Sequence, residues 1–548
     1  PYSWPSFLVD SVSDYIIIDH NRCILCGRCV RVCDEIVANH ALDFGRRGWK
    51  TVVCADLNQP LGESSCISCG ACAQVCPTGA IFTKPSVYKG KTTECSITRT
   101  VCSICGVGCE IDALVRDNNL VRIDGHQLTG LRGQLCFKGR FDQLYERYKR
   151  ITTPLSRNTK CELEACSWDE ALSKIVRKLS ELKKKYGADS IAGIASSRNS
   201  NESLQGFKRF IKDIVGSSNL DTIDGDDYRT VVRGIAEFGV TSGLNTECQL
   251  DEILKADCIL VIGAEPLTSH PVVGSYILRA VKNNKARLII LGPWRNAFSH
   301  RTYLWLKPKQ DTEDIVIRGI MSLVYQKGLG DFKKAKRGIA RLLKELNINQ
   351  VCTESGVNAE DLERASETFA KAQCGVILYG QSVLHQKNPG VVTNLLNLAA
   401  ATRNWQDGKA RVIYLKPRGN SWGAWELGVA NPEQSIAMQM KQGEVKALYL
   451  LLSDDYFEDS KSLEQLKKVD FLVVQSSYLS SFTAEADVVL PSFTWAEREG
   501  KYVTLDGISK QGRRALQPPE GIREDWEILE EVSKRLTKSS EKSRSRVD

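Results

Sequence analysis

Fourteen of the twenty cysteines fall in the first quarter of the chain, and twelve of them form three groups whose spacing suits inorganic clusters. Cys23, Cys26, Cys29 and Cys33 are spaced C-x2-C-x2-C-x3-C. Cys66, Cys69, Cys72 and Cys76 repeat that spacing, with Pro77 directly behind. Cys102, Cys105 and Cys109 form C-x2-C-x3-C, and Cys136 follows after a long gap, within Gly133-Gln-Leu-Cys136-Phe-Lys-Gly-Arg140. A cubane iron–sulfur cluster needs four thiolates converging on one small volume. Two intervening residues let a looping chain present successive sulfurs to adjacent irons. The chemistry such thiolates support is electron transfer.

The first two groups carry the bacterial ferredoxin signature, in which the fourth cysteine of each run ligates the other cluster. On this pattern Cys23, Cys26, Cys29 and Cys76 hold one [4Fe–4S] centre, and Cys66, Cys69, Cys72 and Cys33 hold a second. Zinc is the competing use of C-x2-C pairs, but it takes two pairs and has no need of further cysteines at these intervals. For the third group, spacing alone leaves zinc and iron–sulfur both open.

These ligands need elements to hold them. Ile111, Ala113 and Val115, then Leu120, Val121 and Ile123, read as a β-hairpin turning at Asp117-Asn118-Asn119. From about residue 151 the pattern changes to helices alternating with short apolar strands. Ser167-Trp-Asp-Glu170 is a capping box, and Leu172, Ile175, Val176, Leu179 and Leu182 behind it recur at helical spacing. A strand over 190–195 and a helix over 204–214 follow. Further strands are expected at 258–263, 287–291, 375–379, 411–415, 447–452 and 471–474. Most are continuous apolar runs, as in strands covered on both faces. With interleaved helices they predict a doubly wound parallel α/β body of two lobes. No G-x-G-x-x-G or G-x-x-x-x-G-K-[ST] occurs, so nothing argues for a nicotinamide or ATP site. The loops Gly263 to His270 and Gly292 to Arg295 stand where such sheets bind ligands, but as isolated motifs they read as ordinary turns.

The order of motifs, ending in C-x2-C-G-V-G-C and L-C-x-K-G-R-F, resembles the molybdopterin oxidoreductase superfamily. The chain is similar to formate dehydrogenase large subunits and to the large iron–sulfur subunit of respiratory complex I. Supporting stretches are Gly263 to Val273, Asn420 to Gly428, Ala484 to Pro491 and Trp495 to Gly500. The resemblance implies a two-cluster ferredoxin-like domain over 1–92 and a small [4Fe–4S] domain over 93–150. An α/β molybdopterin-oxidoreductase-like body then spans 151–536, with a basic, Ser-rich tail at 537–548 that looks disordered. It also implies a third [4Fe–4S] cluster on Cys102, Cys105, Cys109 and Cys136, and it puts Lys138 where catalytic members hold a lysine between cluster and pterin. The implied partners are a flavin- and NAD(P)H-binding iron–sulfur subunit and a further redox subunit.

The pattern also departs from catalytic formate dehydrogenases, which carry a metal-ligating cysteine or selenocysteine followed closely by histidine. The matching stretch, Ser218 to Arg229, contains neither. Cys248 lies outside the matching position. Asp224, Asp226 or Asp227 could serve as oxygen ligands, and solvated carboxylates are the commoner use. Catalytic relatives usually add a C-terminal domain over the pterin, and none is recognised here. Residues 1 to 22 lack the cysteines that hold further upstream clusters in complex I. The expectation is an electron-transfer subunit without molybdopterin. The alternatives are a catalytic formate dehydrogenase with a non-cysteine metal ligand and a structural zinc protein. The remaining eight cysteines, Cys54, Cys95, Cys161, Cys166, Cys248, Cys258, Cys352 and Cys374, form no second group and are expected to be small buried hydrophobes.

Composition narrows the classes further. The 548 residues, 42% hydrophobic and 26% charged, suit several folded domains. No apolar run is long enough to span a bilayer, and the residues from Pro1 onward do not have the charged-then-apolar pattern expected of a signal peptide. Many thiols without a secretory signal favour a reducing cytoplasm. A net charge of +8 from 74 basic and 66 acidic residues is modest, and no basic patch matches a nucleic-acid module.

Overall fold

The computed structural model describes residues 6–127, 133–144, 148–239, 248–298, 300–336, 338–385, 390–406, 409–431, 433, 435–456 and 460–544. The chain begins with a small domain of loops and single helical turns. It is closed by strand Ile16–Ile18 pairing antiparallel with Ile81–Thr83, and a hairpin of Leu42–Gly45 and Val52–Ala55 flanks it. Next comes a three-stranded antiparallel sheet of Ser96–Val101, Glu110–Arg116 and Asn119–Gly125. The expected hairpin is its second and third strands. Asp117 and Asn118, at φ 51° and 58°, make the tight turn that suits a two-residue hairpin connection. The first strand, Ser96–Val101, was not foreseen, because Thr98 to Thr100 interrupts its apolar alternation.

The body holds two parallel sheets, as expected of two lobes. One orders its strands Leu220–Thr222, Ile191–Ala195, Ala447–Ser453, Phe471–Ser476 and Val488–Pro491, all parallel. Leu155–Arg157 and Leu163–Ala165 extend its edge antiparallel, a mixed margin the sequence pattern did not indicate. The other sheet orders Leu304–Leu306, Arg287–Leu291, Cys258–Ile262, Gly375–Tyr379 and Val412–Tyr414, all parallel. The second lobe is therefore an insertion between Leu220–Thr222 and Ala447–Ser453 of the first. Its central strands Cys258–Ile262 and Gly375–Tyr379 are buried at every residue, which accounts for their unbroken apolar runs.

The helices cover these sheets. Trp168–Tyr186 starts at the expected box: Ser167 Oγ accepts from the Glu170 N–H at 3.2 Å, and Glu170 Oε2 accepts from the Ser167 N–H at 2.8 Å. Its buried face is Ala171, Leu172, Ile175, Val176 and Leu179. The last helix, Asp525–Arg544, runs through most of the stretch read as a disordered tail. Leu536 packs on the core, and the pairs Lys534–Glu530 (3.0 Å) and Arg535–Glu531 (2.8 Å) support helical spacing that the Ser-rich composition obscured. Residues 545–548 of that tail lie outside the described residues.

The small domain is tied to the inserted lobe by polar contacts. Arg301 donates to the carbonyls of Ala38 and Asn39, each at 3.0 Å, and Lys282 pairs with Asp34 at 2.5 Å. Among the described residues no helix is long and apolar enough to cross a membrane.

Candidate iron–sulfur centres

Each expected set of four cysteines surrounds a separate cavity. Cys23, Cys26, Cys29 and Cys76 line one, with Ile18, His20 and Val53. Cys33, Cys66, Cys69 and Cys72 line a second, with Ile16, Val37 and Leu42. Cys102, Cys105, Cys109 and Cys136 line a third, with Lys138, Ser269 and Pro271. In the first two, three cysteines come from one run and the fourth from the other, as crossed ligation requires. Among the described residues, no three Cys, His, Asp or Glu side chains converge on a single-ion position, as tetrahedral zinc with Zn–S near ~2.3 Å demands. Four sulfurs around one cavity are the donor set that a cubane cluster takes.

Local backbone explains how the first two cavities arise as near-copies. In each run the residue before the second cysteine, Leu25 or Ser68, adopts positive φ and donates its N–H to the first sulfur, Cys23 or Cys66, at 3.4 Å. Gly27 and Gly70 then turn the chain at φ 71° and 73° into the short helices Arg28–Arg31 and Ala71–Val75. These N–H···S contacts are of the kind that tune cluster potential. The third loop is held differently. Cys102 N–H donates to the Cys109 carbonyl at 2.9 Å, and Gly106 bonds both Lys416 and Leu505 of the body.

The sulfurs sit in surroundings that disfavour bare thiolates. Burial pushes the Cys29 thiol up to about 11, Cys66 to about 12, Cys69 to about 11 and Cys102 to about 12, and neighbouring sulfurs add to the effect in each. Cys72 and Cys109 are raised well above the ordinary value for the same reasons. Cys76 goes the other way: burial opposes ionisation, but hydrogen bonds from the Ile81, Thr78 and Ala80 backbone outweigh it. Such a set becomes ligating only when iron supplies the compensating charge.

The three sites form a line. Cys72 of the second set lies within electrostatic reach of Cys29 of the first, and Cys69 of the second within reach of Cys136 of the third. Exposure falls along that line: Cys26 is exposed, the second set is half-buried to buried, and Cys102, Cys109 and Cys136 are buried.

Arg140 joins the second site to the third, a role its place in the sequence did not signal. Its side chain is 1% exposed. Nε donates to the Cys69 carbonyl at 2.8 Å and Nη2 to Gln74 Oε1 at 2.7 Å. Nη1 donates to the Ile123 carbonyl at 3.1 Å and to Asp124 at 3.0 Å. Gly70 permits the approach, since a Cβ there would lie 2.4 Å from Arg140 Cδ. Lys138 lines the third cavity, on the side facing His270. His270 is buried, and burial lowers it to about 4, so the ring is neutral and Nε2–H donates to the Lys416 carbonyl at 2.7 Å. The Gly263 to His270 loop thus reaches the third site through Ser269, whereas Trp294 in the other loop is 74% exposed.

At the carboxyl ends of both sheets, where such folds bind ligands, buried charges face each other. Arg198 pairs with Asp454 at 3.0 Å, Arg418 with Asp455 at 2.7 Å, and Arg498 with Asp525 at 3.1 Å. Arg229 pairs with Asp221 at 2.7 Å and also with Asp226. Asp224 accepts from Ser197, while Asp227 accepts from Gln381, His385 and Tyr414 at 2.7, 2.6 and 2.6 Å. Even so, Arg198 Nε, Arg498 Nε and Asp224 Oδ2 are buried without a hydrogen-bond partner among the described residues.

Of the eight remaining cysteines, only Cys248 and Cys258 are fully buried; Cys161 is exposed and the others are half-buried. The expectation of small core residues holds for those two. Cys161 sits at the turn between two edge strands, at φ 64°.

The chain belongs to the molybdopterin oxidoreductase family, whose model matches residues 150–535. The molybdopterin oxidoreductase Fe4S4 domain matches residues 95–145, and a 4Fe-4S dicluster domain matches residues 22–80. It is 27% identical to NADPH-Fe(3+) oxidoreductase subunit alpha of Geobacter sulfurreducens, over 98% of this chain and 66% of that protein. It is 26% identical to formate dehydrogenase H of Escherichia coli, over 80% of this chain and 68% of that protein. A solved structure, acetylene hydratase from Pelobacter acetylenicus, shares the fold with a TM-score of 0.64 at 18% identity, covering 80% of this chain and 69% of the other. The chain spans 66% of the length of the Geobacter relative, and 63% of the putative formate dehydrogenase YrhE of Bacillus subtilis.

Proposed function

We propose that this chain is the iron–sulfur electron-transfer subunit of a multi-subunit oxidoreductase linked to NAD(P)H, hydrogen or formate. It relays electrons between a flavin subunit and another redox partner. The observation that carries this reading is the line of three four-cysteine cavities, running from exposed Cys26 to buried Cys136. Bound [4Fe–4S] clusters supply one-electron carriage. Cys23, Cys26, Cys29 and Cys76 hold the first, Cys33, Cys66, Cys69 and Cys72 the second, and Cys102, Cys105, Cys109 and Cys136 the third. The protein's part is to fix the sulfurs, donate N–H groups to them and exclude water from the inner two. Cys26 is the terminus open to a partner. Half-buried Cys105, beside Lys138 and exposed Ser269, is the corresponding position at the far end. The body positions the relay and holds no pterin, since the stretch Ser218 to Arg229 offers neither a cysteine nor a histidine as a metal ligand. The free thiols suit a reducing, cytoplasmic setting.

The name of the Geobacter relative supports an NADPH-linked complex with an alpha subunit of this kind. A second reading, catalysis of formate oxidation, is favoured by the formate dehydrogenases among the relatives. Anaerobically purified protein separates them. A relay takes up electrons from dithionite and passes them to acceptors without responding to formate. Formate-dependent dye reduction with stoichiometric molybdenum or tungsten identifies a catalyst instead.

A further inference from the structure

The first cavity opens on a surface with a distinct composition. Ile24 is 64% exposed and Leu25 42%, and they directly precede exposed Cys26. Phe44, also exposed, lies against Gly27, where an added Cβ would stand 3.3 Å from its ring. The hairpin that carries Phe44 also supplies Val53 to the cavity wall, so its tip, residues 46–51, stands at the rim. That tip presents exposed Arg46, Arg47, Trp49 and Lys50. Arg46 acts electrostatically on His20, another lining residue of the same cavity. Arg28, one residue before the ligand Cys29, is exposed as well. Among the described residues none of Arg28, Arg46, Arg47 and Lys50 is in an ion pair with a carboxylate. By contrast, Lys282 and Arg301, which anchor the inner side of this domain, are committed.

An apolar centre directly over an electron-transfer ligand, edged by uncompensated cations, is the composition of a transient redox-protein interface. The cations raise the encounter rate with an acidic partner, and the apolar residues exclude water at the point of closest approach. Nicotinamide delivers two electrons as a hydride, whereas a cubane cluster takes one. The chain shows no nicotinamide motif, so the partner that meets Cys26 must divide the pair, which is flavin chemistry.

Resting on the relay reading above, we propose that the surface formed by Ile24, Leu25, Phe44, Arg46, Arg47 and Lys50 docks the acidic face of a flavin-bearing redox protein, which exchanges electrons with the chain at Cys26. In each encounter one flavin is oxidised by one electron and one iron–sulfur centre is reduced by one electron. Any proton the flavin releases passes to solvent, and no bond within this chain forms or breaks.

The test uses the full chain, purified anaerobically with its iron, and fully reduced flavodoxin as an acidic flavoprotein probe. Bleaching of the visible cluster absorption is followed by stopped flow. The second-order rate is expected to fall steeply as ionic strength rises, because the Debye length shrinks from about 30 Å at 0.01 M to about 8 Å at 0.15 M. The R46E/R47E/K50E variant should react about ten-fold more slowly at low salt and lose the salt dependence. Its iron content and reduction by dithionite should be unchanged, since these side chains touch no ligand. A wild-type rate that ignores salt, or a charge-reversed variant that matches wild type, overturns the proposal. Should the variant fail to fold, the wild-type salt dependence alone decides. If dithionite itself reduces no cluster, it is the relay reading that fails.

Discussion

Arg140 Nε lies 2.8 Å from the carbonyl oxygen of Cys69, and the Arg140 backbone N–H donates to the Cys136 carbonyl at 3.0 Å, so one residue bonds to the second and third cysteine sets at once. Its planar fork also reaches Gln74, the Ile123 carbonyl and Asp124, making four acceptors that a lysine could not satisfy. Arg140→Met leaves the Cys69 carbonyl without this donor and removes a buried charge from Asp124. The expected cost is about 3–5 kcal/mol, by analogy with breaking a buried ion pair. Urea unfolding measures it. Iron analysis with EPR should show the second and third centres depleted and the first retained. A variant as stable as wild type, with full iron, contradicts the role assigned to Arg140.

Crossed ligation has its own signature. Cys76→Ser should deplete the first centre, although Cys76 belongs to the second run, and Cys33→Ser should deplete the second. In EPR of the reduced variants, each substitution is expected to alter one centre and leave the third unchanged. If each instead alters the centre of its own run, the ligation is uncrossed.

His270 sets a pH dependence of stability. Burial lowers its folded-state value to about 4, so the unfolded chain takes up a proton as pH falls below 6.5 while the folded chain does not. The stability is therefore present above pH 6.5 and is lost progressively as pH falls towards 4. Between pH 7.5 and 5.5 the loss is roughly 1.4 kcal/mol. His270→Gln keeps a donor to the Lys416 carbonyl and removes the titration. Wild type should lose that much more than the variant over this interval, read from urea midpoints at the two pH values. Equal losses would contradict the neutral, buried ring.

Asp525 gathers a buried network in the body. It accepts from Ser453 at 2.9 Å and Gln475 at 2.7 Å, and pairs with Arg498, both members being 0% exposed. Asp525→Ala leaves Arg498 without its nearest counter-charge and should cost about 3–5 kcal/mol. The double variant with Arg498→Met should recover much of that loss, because it removes the stranded charge. A denaturation cycle on the two singles and the double checks this; strictly additive losses would contradict the pairing.

How far the sequence reaches depends on how local each feature is. The cysteine sets are legible because cluster ligation is written in intervals of two and three residues, and the buried strands because both faces are covered and the runs turn apolar. The capping box at Ser167 is likewise local. Arg140 is not legible: its partners stand up to 71 residues away, and a lone arginine in sequence looks like a solvated charge. The same holds for the Arg198–Asp454 and Arg418–Asp455 pairs, whose members stand 256 and 37 residues apart. The insertion of one lobe into the other is hidden because strand order, unlike strand identity, depends on contacts far apart in the chain. The final helix was missed for a different reason. Its Ser-rich, basic composition suggests disorder, yet Leu536 anchors it to the core.

The most direct test of the relay is metal analysis of anaerobically purified protein, combined with EPR after dithionite reduction. Three [4Fe–4S] centres and no pterin predict about twelve irons per chain, no stoichiometric molybdenum, tungsten or zinc, and three reducible signals. Stoichiometric molybdenum or tungsten would contradict the account, as would zinc in place of iron.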